Sequence, residues 1–304
     1  MELLKKLQDI YAPAGEEDAL KDFILNYIEQ NSGQWKSKPT IYYGDEFQNC
    51  IVLAFGKPRT AVFAHMDSIG YTTRYDNHLI KLGGPVTDSG IQLFGYDKDG
   101  LIETQLIKDE GNHSLRCEFH RTIEPGTNLV FKSNWTENDE TISNCYMDNR
   151  LGCYNALKLA ETLEDGIIAF SCWEETGGGS IGYIARFIYE KFGVKQALIS
   201  DITWVTEGVL AGKGVAISMR DSGIPRKSYI NRIKGIAEKS NIPYQLEVES
   251  SGGSDGNQLQ KSPYPIDWCF IGAPEENVHS PQEKVHKKDI QSMLDIYQVL
   301  MAKL

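Results

Sequence analysis

Ile167-Ile168-Ala169-Phe170-Ser171-Cys172-Trp173-Glu174-Glu175-Thr176-Gly177-Gly178-Gly179 is a short apolar run that stops at two adjacent acids and then at three glycines. Its length, apolarity and bounding turn residues predict a buried strand over 167–172. In open α/β sheets ligands bind beyond the carboxyl ends of the strands, so Glu174 and Glu175 stand where chemistry would sit. Two neighbouring acids there repel and desolvate each other unless a cation or a shared proton compensates. The pair asks for a metal, or for separate acid and base roles. Taken alone, its plainer reading is a solvated turn.

Around that strand, helices and strands alternate. Helical spacing is expected over 151–163 before it and 181–192 after it, followed by strands over 197–200 and 215–219. A helix from about 225 to 240 would carry Pro225 in its first turn; strands near 244–248 and 266–271 and a helix over 288–304 complete the series. Toward the N-terminus, Leu3, Leu4, Leu7 and Ile10 share one helical face, and Leu20, Phe23, Ile24, Tyr27 and Ile28 another. Segments 51–55 and 61–64 read as buried strands. From about 70 to 144 the texture changes to short alternating segments broken by turns such as Gly83-Gly84-Pro85 and Asp97-Lys98-Asp99-Gly100. The expected architecture is a three-layer α/β/α sandwich with a mixed, mostly parallel sheet. Residues 1–69 and 143–304 would form the catalytic domain and 70–142 a small inserted β domain.

Composition narrows the function. The chain has 304 residues and a net charge of −11 from 31 basic and 42 acidic side chains, which argues against a nucleic-acid binder. Cysteines 50, 117, 145, 153, 172 and 269 form no CxxC pair, so free buried thiols and a reducing cytoplasm are expected. The opening segment is amphipathic rather than signal-like, and no apolar run approaches membrane-spanning length. A soluble cytoplasmic protein with no membrane partner is the expectation.

Four further segment ends carry ligand-type residues. His65-Met66-Asp67 closes a strand, and alternation puts His65 and Asp67 on one face, where a carboxylate can orient a metal-bound imidazole. A half-buried histidine beside an acid is an equal reading of that segment. Asp148 stands just before a helix, where an N-cap is the ordinary role. Asp201 follows 196–200 at an expected strand end, and His279 sits in the loop Val278-His279-Ser280-Pro281. Either could be a solvated turn residue. Together, two imidazoles and five carboxylates suit two metal ions sharing a bridging carboxylate, with N/O donors favouring zinc or cobalt over calcium.

The order and spacing of 64–70, 148–152, 174–177, 200–203 and 278–281 resemble the glutamyl/leucyl aminopeptidase family of co-catalytic metallopeptidases, whose members often form tetrahedral shells. Ile123-Glu124-Pro125-Gly126 is similar to that family's return from its inserted β domain. The resemblance implies that Asp148 bridges two divalent ions, zinc foremost with cobalt or manganese as alternatives. His65 and Asp201 would complete one ion's protein ligands, and Glu175 with His279 the other's. Glu174 would be the general base and Asp67 would orient His65. The implied substrates are short peptides with a free N-terminus, and the implied assembly is a homo-oligomer. The chain departs from the family pattern at Ser68 (usually Glu), at Gly252-Gly253-Ser254-Asp255-Gly256 (usually Gly-Gly-Thr-Asp-Ala) and at Gln282, near a position often acidic.

Three rivals stand beside this reading, one of them a catalytically silent peptide-binding or scaffold protein, against which the complete set of ligand-type residues argues. A deacylase or carboxypeptidase on a related fold would use the same metals. Gly178-Gly179-Ser180-Ile181-Gly182 also fits a nucleophile elbow, with Ser180, Asp267 and His279 in serine-hydrolase order. That serine-hydrolase rival leaves the acids and His65 without a task.

Overall fold

The computed structural model describes residues 1–304. Helices α1 (Glu2–Gln8) and α2 (Asp18–Asn31) lead into β1 (Thr40–Gly44), β2 (Gln48–Phe55) and β3 (Ala61–His65). Six strands follow with no α-helix between them: β4 (Gly70–Thr73), β5 (His78–Leu82), β6 (Gln92–Asp97), β7 (Gly100–Lys108), β8 (Leu115–Cys117) and β9 (Asn128–Phe131). β10 (Thr136–Glu137) and β11 (Thr141–Asn144) precede α3 (Met147–Ala160), β12 (Gly166–Ser171), α4 (Ile181–Phe192) and β13 (Gln196–Trp204). The chain ends through β14 (Val215–Arg220), α5 (Lys227–Glu238), β15 (Tyr244–Val248), α6 (Asp255–Lys261), β16 (Asp267–Glu276), β17 (Glu283–His286) and α7 (Lys287–Lys303).

One mixed sheet of eleven strands follows the path β1-β2-β12-β3-β13-β16-β17-β11-β10, with β14 joined to β16 and β15 to β14. Its centre, β12-β3-β13-β16, is parallel, and the strands on either side run antiparallel to it. The central strands are buried along their length, as a parallel sheet covered on both faces requires; their continuous apolar runs express that burial. Helices α3, α5 and α7 pack together, and α4 packs with α6, forming the outer layers of the α/β/α sandwich.

β4 to β9 close into a separate barrel, β4-β5-β8-β7-β6-β9, around its own core of Tyr71, Leu93, Ile102, Leu129 and Phe131. Closure leaves no unpaired strand edge. Ile123–Gly126 precedes the last barrel strand, and β11, within the all-β texture of 70–144, pairs with β17 in the large sheet. Alternation alone does not tell a barrel strand from a sheet-edge strand.

Other differences from the sequence expectations are local. Asp201 was expected at a strand end but lies inside β13, which runs to Trp204 because β16 pairs with it residue for residue as far as Trp204↔Glu275. Pro225 precedes α5 instead of entering its first turn. Helix α6 was not anticipated. It is only seven residues long and starts from a capping box between Ser254 and Asn257, so it lacks a readable apolar period.

Candidate metal centre

Register brings the first residues together. Ser171 at the end of β12 lies beside His65 at the end of β3, and Ile199 of β13 lies beside Phe63. Two residues on, Asp201 comes level with His65. Beyond β12 the chain turns at Trp173, in the left-handed region, into one 3-10 turn over Glu174–Thr176. The buried Asp67 carboxylate caps that turn, accepting the N–H of Glu174 at 3.0 Å and of Glu175 at 3.1 Å. The same carboxylate lies 3.5 Å from His65 Nδ1, and the Asp67 carbonyl 3.2 Å from it. Asp67 therefore fixes His65 and the paired glutamates at once.

Asp148 sits in the first turn of α3, past the N-cap residue Tyr146, and its side chain turns to His65. Asn149 ties that turn to β13: its Nδ2 donates to the Ser200 carbonyl and its Oδ1 accepts the Gly152 N–H. A Cβ at Gly152 would stand 2.1 Å from the Ser200 carbonyl oxygen, so only glycine permits this approach. His279 projects from the β16–β17 loop with a left-handed backbone.

The side chains converge on Asp148. One Asp148 oxygen lies 3.1 Å from His65 Nε2, and the other lies 3.3 Å from His279 Nε2. Asp201 is 3.6 Å from His65 Nε2, Glu175 is 3.4 Å from His279 Nε2, and Glu174 is 4.0 Å from His65 Nε2. His65, Asp148 and Asp201 form one group with the spacing to hold a metal ion, and Asp148, Glu175 and His279 form a second. Asp148 belongs to both.

The residues fit two divalent ions. Both imidazoles face carbonyl or carboxylate oxygen at Nδ1, from Asp67 for His65 and from the Gly84 carbonyl (3.1 Å) for His279. Protons on those nitrogens leave each Nε2 lone pair free to bind a metal. Glu175 Oε1 is buried without a hydrogen-bond partner, a costly state unless a cation meets it.

Without such a cation the electrostatics conflict. Burial pushes Glu175 and Asp201 well above the usual carboxylate range, with the neighbouring Asp148 adding to it. Burial also raises Glu174 to about 8, with His65 partly offsetting and Asp255, Asp148 and Asp67 reinforcing. Burial opposes a charge on His65, but Asp201, Asp148 and Asp67 outweigh it and hold that imidazole well above its ordinary value. His279 is raised in the same way, chiefly by Asp148 against burial. Burial also opposes charge on Asp148, but the two histidines override it and hold this group low.

The model of the M42 glutamyl aminopeptidase family matches residues 103–296, well over half of the chain. The chain belongs to the M42 family. It is a metal-dependent peptidase. A curated protein of Acetivibrio thermocellus that bears an aminopeptidase designation is 25% identical, over 97% of this chain and 96% of its own length. Among solved structures, an aminopeptidase of the archaeon Desulfurococcus kamchatkensis superposes with a TM-score of 0.87 at 21% identity, covering 100% of this chain and 94% of that one. The TET1 peptidase of Pyrococcus horikoshii, described as assembling into a tetrahedron or a large octahedral shell, gives 0.84 at 21% identity, with 100% and 99% covered. These structures share the fold.

Against the M42 pattern, the departures acquire physical reasons. Ser68 donates from Oγ to the Ala12 carbonyl, so it ties the N-terminal segment to the β3 exit. Gly256 leaves room for Trp268, since a Cβ there would stand 2.2 Å from the ring. Gln282 is exposed, and the buried acid of that loop is its neighbour Glu283, which accepts the N–H of His279 at 2.9 Å and of Asp148 at 3.3 Å. Sequence reasoning missed Glu283. Its signal was the alternation that puts it on the same buried face as Val285. Also missed was the barrel's contribution through Gly84, whose missing side chain admits the His279 ring.

The serine-hydrolase grouping does not assemble. Ser180 is fully buried, with Oγ accepting the Cys172 N–H and donating to the Cys172 carbonyl. Asp267 pairs with Arg226, while His279 faces Asp148 and Glu175.

Proposed function

We propose that the protein is a dinuclear-metal aminopeptidase that removes the N-terminal residue of short peptides, with Glu174 as general base. The observation that carries this reading is the pair of ligand groups meeting at Asp148, with Glu174 beside them but in neither. His65, Asp148 and Asp201 would hold one ion, and Asp148, Glu175 and His279 the other. Zinc is the proposed metal, with cobalt or manganese able to replace it in an N/O donor set. Bound there, two divalent ions acidify water and polarise a carbonyl.

The rest of the mechanism belongs to side chains. Glu174 must be ionised to accept a proton, and nearby positive charge brings its carboxyl down from about 8. It takes the proton of the attacking water and returns it to the leaving amine. Asp67 holds the His65 ring and, through two N–H groups, keeps Glu174 and Glu175 in separate orientations.

Cytoplasmic residence and homo-oligomeric assembly complete the proposal. All six cysteines are free and buried, and no helix is long and apolar enough to cross a membrane. The shell-forming TET1 relative supports self-association.

Peptides with free and N-acetylated termini, incubated with zinc-loaded protein and analysed by mass spectrometry, test the activity. Only the free peptide should shorten from its N-terminus, and chelation should stop it. Cleavage restricted to acetylated peptide would assign the site to a deacylase, and activity surviving exhaustive chelation would remove the metal from the reaction.

A further inference from the structure

The metal-binding groups occupy only one end of the cavity they line. That cavity, about 220 Å³, continues past Asp201 to a wall that contains Asp221, Glu247 and Glu249. Charge balance separates the two ends. Asp148, Glu175, Asp201 and Glu174 supply four negative charges, which two divalent ions would offset. The three acids of the far wall are left over, and no lysine or arginine lines the cavity.

These acids are built into the fold. Glu247 is 3% exposed and Asp221 7%. The Thr203 hydroxyl donates to Glu247, and the Gly223 N–H donates to Asp221 at 2.5 Å. Arg220, next to Asp221, turns its Nε to the main-chain carbonyl of Asp221. Two carboxylates more than nine-tenths buried thus line a cavity whose wall holds no lysine or arginine, its two imidazoles lying at the metal-binding end. Burial raises both carboxyls, and at Asp221 the neighbouring Arg220 offsets this only in part, so ionising them in place is costly and the wall is suited to a ligand that brings a counter-charge. Ile202, Trp204 and Phe270 line the same cavity and offer apolar surface for a methylene stem.

We propose that this cavity selects peptides whose N-terminal residue is lysine or arginine, with Asp221, Glu247 and Glu249 as the specificity-determining residues. The inference rests on the aminopeptidase reading above. It names a preference opposite in charge to the glutamyl label of the family. A glutamate side chain entering this cavity would meet three like charges, whereas a lysine or arginine would lay its stem along the apolar wall and place its cation among them.

The test is a set of aminoacyl p-nitroanilides with the zinc-loaded protein. The value of kcat/KM for lysyl and arginyl substrates should exceed that for leucyl by at least about tenfold, with glutamyl slowest. Glu247→Gln, and separately the more exposed Glu249→Gln, should lower the lysyl-to-leucyl ratio by about tenfold, the scale expected when a desolvated charge pair loses one partner. Calorimetric titration with free lysine and free leucine gives a readout independent of turnover, with lysine binding more tightly. A leucyl or glutamyl preference in the unsubstituted protein would overturn the inference. So would substitutions that slow every substrate equally, because the acids would then serve the α-ammonium group common to all. If no substrate or peptide lost its N-terminal residue, the underlying aminopeptidase reading would fall as well.

Discussion

Glu174 and Glu175 are neighbours in the chain, yet the turn that carries them sends them different ways. Glu175 reaches His279, and Glu174 stands 4.0 Å from His65. If Glu174 is the base and not a ligand, Glu174→Gln keeps both metals and lowers kcat by about 10²- to 10⁴-fold, the usual worth of a positioned proton acceptor. Metal content and steady-state kinetics on the same preparation check this, and a near-normal rate would remove Glu174 from the role. Asp148→Ala should cost both ions at once, because this residue alone belongs to both groups; elemental analysis showing one ion retained at full occupancy would contradict the bridge. The five proposed ligands were legible in the sequence because each was expected at the boundary of a strand, helix or loop, although Asp201 lies within its strand. Glu283 was not, since its role depends on two N–H groups that only the folded β16–β17 loop and first turn of α3 bring together.

Elements enter as positioning devices. The carboxyl ends of β12 and β3 and the interior of β13 at Asp201 deliver three parts of the site, and α3 is held against β13 by Asn149 and Gly152. The β16–β17 loop is held by Glu283. Glu283→Gln keeps the shape but weakens the acceptor for both N–H groups, and metal affinity should fall about 10- to 100-fold, as measured by competition with a fluorescent chelator. At α6, Gly256→Ala would push a methyl group into the Trp268 ring and should destabilise the protein by about 1–3 kcal/mol in urea unfolding. The long strands and helices were readable from their periods. Helix α6 was not, because a capping box and a tight ring contact define it instead of an apolar stripe.

At the scale of the whole molecule, the metal-free centre is a store of unfavourable charge. Glu175 and Asp201 have folded pKa values above their ordinary ones through burial, and the carboxylates around His65 and His279 raise these imidazoles against burial. In all four the folded state holds protons that the unfolded chain releases, so stability of the metal-free protein falls as pH rises from about 5 to 8. Thermal unfolding of stripped protein should show a midpoint that declines over that range, while zinc-loaded protein, with the charge offset, should show a weaker decline. A stripped protein that gained stability with rising pH would refute the charge assignment. The α/β architecture and the existence of an inserted β segment could be read from alternation and turn spacing. The contact of Gly84 with the site could not, since it joins positions 195 residues apart.

Anomalous diffraction at the zinc edge, from crystals of zinc-loaded protein, tests the central claim most directly. Two peaks flanking the Asp148 carboxylate are predicted, one against His65 and Asp201 and the other against Glu175 and His279. A single peak, or none in contact with Asp148, would contradict the account.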